Sequence, residues 1–184
     1  MARERAVAAT DFAAKSSALN EEFDAALVAV AASAHTLDAL YGSVVPESRR
    51  AEWKDKRTPR RSAIREGLKL VFATGPRNTP WVDGFNWLFD LRDGAVHHGE
   101  KPQETVPQPS LDTHTGPEYV AYSTESADRA VWLMLEVLRW CVDHPKPKTP
   151  TTGPQAPSAD QWAEGNKPVV TDLESRWASA TGPM

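Results

Sequence analysis

The sequence predicts an all-α protein: a four-helix up-and-down bundle with a long loop between its third and fourth helices and an irregular C-terminal tail. Three observations predict it. Four segments repeat apolar residues at spacings of three, four and seven, the ends of those segments are marked by proline and glycine, and no set of alternating segments is long enough to build a sheet.

The first segment runs from about Asp11 to Tyr41, with Leu19, Phe23, Ala26, Val30, Leu37 and Leu40 on one face and Gly42 expected as its stop. The second opens at Thr58-Pro59, a capping hydroxyl followed by proline at the first helical position. It carries Ile64, Leu68, Val71 and Phe72 and stops at Gly75-Pro76. The third repeats this opening at Thr79-Pro80, sets Trp81, Phe85, Leu88, Phe89 and Val96 on one arc, and stops at Gly99. The fourth begins at Ser123 or Thr124, carries Val131, Leu135, Leu138 and Val142 with Trp132 and Met134 alongside, and ends before Pro145. The short second connection favours antiparallel neighbours, whereas Gly99 to Tyr122 forms a long loop in which EYVAYS is expected as a short extended piece.

Residues 1–144 therefore make the bundle and 145–184 a proline-rich tail, which holds seven of the fifteen prolines. Within the tail VVTDLESRW suits a short docking helix, with Leu173 and Trp177 on one side, that either folds back on the bundle or takes a partner.

A net charge of −4, from 21 basic and 25 acidic residues, argues against general nucleic-acid or membrane-surface binding, so any such binding must be local. The single Cys141 excludes an intrachain disulfide, and the N-terminal residues lack a basic-then-apolar leader, which together point to the cytoplasm. No apolar run is expected to approach the roughly 20 residues that span a bilayer. The five histidines, including the adjacent His97 and His98, lack metal-ligand spacing, so no metal and no cofactor are expected.

The stretch WLFDLRDGAVHHGE, residues 87–100, departs from a simple core helix. Arg92 falls in the middle of the packing arc, where a guanidinium needs a partner, a cleft or an anion. Asp93 and His97 lie four residues apart, about 40° on the wheel, so the carboxylate can orient the imidazole. An arginine to hold an anion, a histidine to move a proton and an acid to orient it suit phosphodiester chemistry. A second pair with the same spacing, Arg139 and His144 in RWCVDH, has Trp140 in place of a polar second residue and is expected to be structural, with both cations matching a helix C-terminus.

Arg92-Asp93-Gly94-Ala95-Val96-His97 resembles the motif of HEPN domains: arginine, a polar residue, three variable residues and histidine, following an apolar helical run. The resemblance covers roughly residues 10–144. It implies a helical bundle, and for many family members a metal-independent endoribonuclease, often a toxin or defence effector, that works as a homodimer with two motifs facing one cleft and is restrained by an antitoxin or effector-complex protein. Other members are inert. On this resemblance Arg92, Asp93 and His97 are catalytic, and RNA is cut to 2′,3′-cyclic phosphate ends. Five residues along a regular helix separate Arg92 and His97 by about 140°. Convergence on one phosphate then requires a bend at Gly94 or a group from the second protomer. One family subset carries a tyrosine two positions after the histidine, modified by a nucleotidyltransferase antitoxin. This chain has Gly99 there, which puts that scheme in doubt.

Substrate binding has one candidate segment. Between Arg49 and Lys69, nine basic residues stand against Glu52, Asp55 and Glu66. Arg60, Arg61 and Arg65 are the expected RNA contacts, because Arg60 and Arg61 sit in the first turn of a helix, where the dipole disfavours cations and a phosphate would fit. Trp53, expected within a basic loop, can stack on an unpaired base or pack on the bundle. The competing reading is a non-catalytic bundle for dimerisation, RNA binding or adaptor function.

Overall fold

The computed structural model describes residues 5, 7–8, 11–72, 80–96, 105–108, 113–146 and 158–181. Among them the chain is mostly helical: α1 (Phe12–Val44), α2 (Glu47–Asp55), α3 (Arg60–Val71), α4 (Val82–Val96), α5 (Pro117–Ala121), α6 (Thr124–Asp143) and α7 (Ala159–Thr181), with a small antiparallel hairpin of β1 (Val106–Gln108) and β2 (Thr113–Thr115). The chain divides into two compact units, residues 1–34 with 87–132 and residues 35–86 with 133–184.

In the first unit the α1 face formed by Ala18, Leu19, Ala26, Val30 and Ala34 is buried, in keeping with its helical spacing. The Phe23 ring stands edge-on to Tyr122 at 5.5 Å and tilted against Tyr119 at 5.2 Å, and the Tyr119 hydroxyl donates to Asn20 Oδ1 at 2.7 Å. Glu22, buried on the same helix, accepts from both the amide and the hydroxyl of Thr124 at 2.9 Å. A carboxylate from α1 thereby satisfies a donor at the start of α6 and complements the dipole there.

In the second unit α1 continues past Gly42, the expected stop, because Val44 and the following Val45 are fully buried and reward another turn; Pro46 then ends it. Residues 47–55, expected as a basic loop, are helical. Glu52 accepts from Arg49 at 2.8 Å and from Lys56 at 2.7 Å, pairs at helical spacing that hold its carboxyl below the usual range, and Glu47 complements the first turn. The helix closes in a Schellman motif: the Arg57 amide donates to the Lys54 carbonyl and the Thr58 amide to that of Trp53, with Arg57 in the left-handed region at φ 52°.

Pro59, and not Thr58, is the N-cap of α3, and no side chain caps it. That helix ends at Val71, before the expected Gly75-Pro76, which lies outside the described residues, as do Thr79 and Gly99. Lys146 accounts for the earlier stop. Its amide donates to the Val71 carbonyl, and its ammonium to the carbonyls of Lys69 and Leu70, so the last carbonyls of α3 are satisfied by a cation.

Two further expectations change. EYVAYS is not extended, because Pro117–Ala121 is helical with proline in its first turn. The tail is not irregular from 159 onward: α7 runs 23 residues with Pro168 inside it and buries Ala159, Ala163 and Val170. Trp162 packs against Phe72 at 5.4 Å, and Arg139 pairs with Glu174 (Nε to Oε1, 2.9 Å) and donates to Thr171. The tail helix folds back.

By length and composition α1 also reaches bilayer size, with an 18-residue window of mean hydropathy 1.3, so the expectation that no apolar run comes near that length does not hold. Cys141 is fully buried, and burial pushes its thiol far above its ordinary range.

In the second unit α3 packs closely on the end of α1 at Gly67. A Cβ on Gly67 would stand 2.7 Å from Tyr41 and 2.7 Å from Val45. Gly67→Ala should therefore lower stability: overpacking costs about 1–3 kcal/mol, against at most about 1 kcal/mol gained in helix propensity. A reduced urea midpoint with an unchanged slope is the expected result.

Candidate functional site

Two groups of side chains stand out, one in each unit. In the first, α4 carries Phe89, Arg92 and Asp93 near its C-terminal end. Leu88 and Phe89 are fully buried, and Arg92, one turn on, is half-buried with its side chain 28% exposed. Its guanidinium lies 4.9 Å above the Phe89 ring. Nε and Nη2 both donate to Asp93 Oδ1, at 3.0 and 2.6 Å. The charge in the packing arc is thus accommodated by an aromatic face on one side and a carboxylate on the other. Asp93 Oδ1 is engaged by Arg92; His97 and His98 lie outside the described residues.

Tyr122 joins this group although no pattern in the sequence points to it. Burial raises its phenol above its ordinary range, so it remains a neutral donor, and its hydroxyl donates to the Leu91 carbonyl at 2.6 Å. That carbonyl lies on α4 immediately before Arg92, and its oxygen has a second lone pair for such a donor. Tyr122 therefore holds the backbone next to Arg92. Gly94 sits within α4, and among the described residues a Cβ there would meet only the Tyr122 hydroxyl, at an ordinary contact of 3.5 Å.

The second group forms a cleft of about 480 Å³ lined by Tyr41, Glu47, Arg50, Ala51, Trp53, Lys54, Thr58, Arg60 and Ala63. Glu47, Arg50, Ala51 and Lys54 recur at helical spacing and present one face of α2. Tyr41 is the buried floor, with Trp53 stacked on it at 6.3 Å and 27° and the Arg60 guanidinium 4.6 Å from its ring centre. Arg60 also pairs with Asp38 at 2.5 Å, and Arg50 Nε donates to the Val45 carbonyl at 3.1 Å. Burial raises the Tyr41 phenol; Arg60 and Arg50, both close by, pull it the other way.

Of the expected RNA contacts only Arg60 lines this cleft. Arg65 turns to Glu66 at 3.1 Å, and Arg61 is half-buried on α3 away from the cleft walls. Arg50 and Lys54 belong to the expected basic segment but could not be set on one face, and Glu47 was missed, because α2 has no apolar periodicity to reveal its face; Tyr41 was read only as the end of the first helix. Arg139 and His144 are structural in kind: the first pairs with Glu174, and the second stacks on Trp140 at 4.0 Å. Among the described residues no three His, Cys, Asp or Glu side chains gather as metal ligands.

Fold and sites define a mostly helical protein with an aromatic, cationic cleft in one unit and an arginine–carboxylate pair on a helix end in the other. No protein-family profile, curated protein or solved structure matches the chain.

Two substitutions separate support from chemistry near Arg92. Tyr122→Phe should cost about 1 kcal/mol through the lost hydrogen bond. Gly94→Ala should be tolerated or raise the melting temperature by a few degrees, since it adds up to about 1 kcal/mol of helix propensity. Thermal denaturation followed by circular dichroism reads both.

Proposed function

We propose that the protein is an RNA-binding, metal-independent endoribonuclease of HEPN type, acting as a homodimeric toxin or defence effector restrained by a protein partner. The observation that carries the substrate class is the cleft, where Arg50, Lys54 and Arg60 surround Trp53 on the Tyr41 floor. Cations beside an aromatic ring suit the phosphates and unpaired bases of a single strand. A net acidic chain binds a polyanion only through such a local concentration of positive charge.

The reaction draws its support from Arg92 and from the residue types that follow it. Attack of an RNA 2′-hydroxyl on the adjacent phosphorus forms a new P–O bond and expels the 5′-oxygen, leaving a 2′,3′-cyclic phosphate and a 5′-hydroxyl. His97 takes the proton from the 2′-hydroxyl and returns one to the leaving oxygen, while Arg92 offsets the extra negative charge of the transition state. Asp93, through its two hydrogen bonds, fixes the Arg92 guanidinium before substrate arrives. DNA lacks the nucleophile and should resist.

The same pair favours a second reading, a non-catalytic RNA-binding module. An Asp93 engaged by Arg92 has less capacity to orient a histidine, and an Arg92 held by Asp93 serves packing as well as chemistry.

The test is to incubate labelled single-stranded RNA with the wild type in EDTA, alongside Arg92→Ala and His97→Ala. Wild-type cleavage to cyclic phosphate ends, reduced about 100-fold or more in each variant, is the expected result. Intact RNA with the wild type, or equal cleavage by all three proteins, removes the enzyme and leaves the binding module. Growth arrest on expression, relieved by His97→Ala, would support the toxin role.

A further inference from the structure

The cleft between the end of α1, α2 and the start of α3 holds more information than its positive charge. At about 480 Å³ it has the size of a small-molecule site. Its walls sort by chemistry. Trp53 offers the aromatic surface; Arg50, Lys54 and Arg60 are the cations; Ala51 and Ala63 are small and leave the space between the two helices open; and among the described residues Glu47 is the one carboxylate on the wall. The dipole of α2 suffices to explain an acid in its first turn. It does not explain why that acid shares a helix face with Arg50 and Lys54, on the inside of a cleft otherwise built for anions.

We propose that the cleft binds one guanine nucleotide, with its base against Trp53, its Watson–Crick edge on Glu47, and its phosphate among Arg50, Lys54 and Arg60. An ionised carboxylate only accepts hydrogen bonds, through two oxygens side by side. Guanine presents two adjacent donors on that edge, N1–H and the N2 amino group. Adenine and cytosine each place a ring acceptor beside their amino group, and uracil sets a single N–H between two carbonyls, so each of these would direct a lone pair at Glu47. Bases splayed onto aromatic side chains are read on this edge. A site that hydrogen-bonds a particular group discriminates strongly against analogues lacking it.

The inference rests on the reading of this cleft as an RNA site and is independent of cleavage at Arg92. The guanine nucleotide has two sources, a free mononucleotide or a guanosine within a strand, and they share this chemistry.

Titration calorimetry on the full chain tests it with GMP, AMP, inorganic phosphate and two hexaribonucleotides that differ only in a central G or A. The expected result is at least a 10-fold preference for the guanine member of either pair, lost in Glu47→Gln, whose amide presents a donor where the second guanine N–H needs an acceptor. A preference confined to the hexaribonucleotides supports a strand guanosine, and equal affinity for GMP and the G-containing strand supports a free nucleotide. Equal binding of guanine and adenine members in both pairs overturns the guanine assignment while leaving RNA binding in place. No binding of any probe overturns both. The wild-type comparison between probes stands even if Glu47→Gln perturbs α2.

Discussion

Tyr41 and Gly67 meet with no space between them for a methyl group, and the cleft is built outward from that contact. Because Gly67 lets α3 come close against the Tyr41 ring, the start of that helix is brought to the end of α1, and Arg60 reaches over the same ring. Trp53 stacks on it in turn, which fixes the face that α2 presents. A buried phenol ring thus positions one indole and one guanidinium, and Asp38 and the Val45 carbonyl hold two of the arginines in place. Preorganisation of this kind reduces the ordering cost of binding, since side chains that would otherwise lose rotamer freedom are already fixed.

In the other unit the constraint is a charge on an apolar arc. A guanidinium taken partly out of water needs compensation, and Arg92 receives it from an aromatic ring and from the residue next to it in sequence. Pairing between neighbours on a helix leaves both groups at one end of α4, with the Tyr122 hydroxyl holding the Leu91 carbonyl behind them. The arrangement serves stability without any ligand. It also matches the requirement of phosphoryl chemistry for an arginine whose position is set in advance. Only function can separate the two roles, which is why the Arg92 and His97 substitutions bear on the reaction and Tyr122→Phe on its support.

Much of the helical core was legible because apolar periodicity is a tertiary signal written into one dimension. Ala26, Val30 and Leu37 on α1, Ile64 and Leu68 on α3, Phe85 and Leu88 on α4, and Leu135 and Val142 on α6 all lie buried where their spacing required. What escaped was structure stabilised by other means. The α2 helix rests on Glu52 ion pairs and a Schellman closure at Arg57, neither of which leaves an apolar stripe. Of α7 only the stretch VVTDLESRW was legible as a short helix; its full length was hidden by the prolines, and its anchors, the Arg139–Glu174 pair and the Trp162–Phe72 contact, join residues far apart in sequence. The same split runs through the sites. Arg92 was legible as a charge on an apolar arc, and Asp93 engages it through Oδ1, while His97, which Asp93 was expected to serve, lies outside the described residues. In the cleft Arg60 was legible from the helix dipole, but Glu47, Arg50 and Lys54 depend on a helix that sequence periodicity does not reveal.

The central claim is that a net acidic chain takes up single-stranded RNA through the cations of one cleft, and the salt dependence of binding tests it most directly. Three cations on phosphates should give log Kobs against log[salt] a slope of about −2, near 0.7 per neutralised phosphate of a single strand. Arg60→Gln should bring that slope closer to zero by about 0.7. Binding that is independent of salt, or a slope unmoved by Arg60→Gln, would contradict the account.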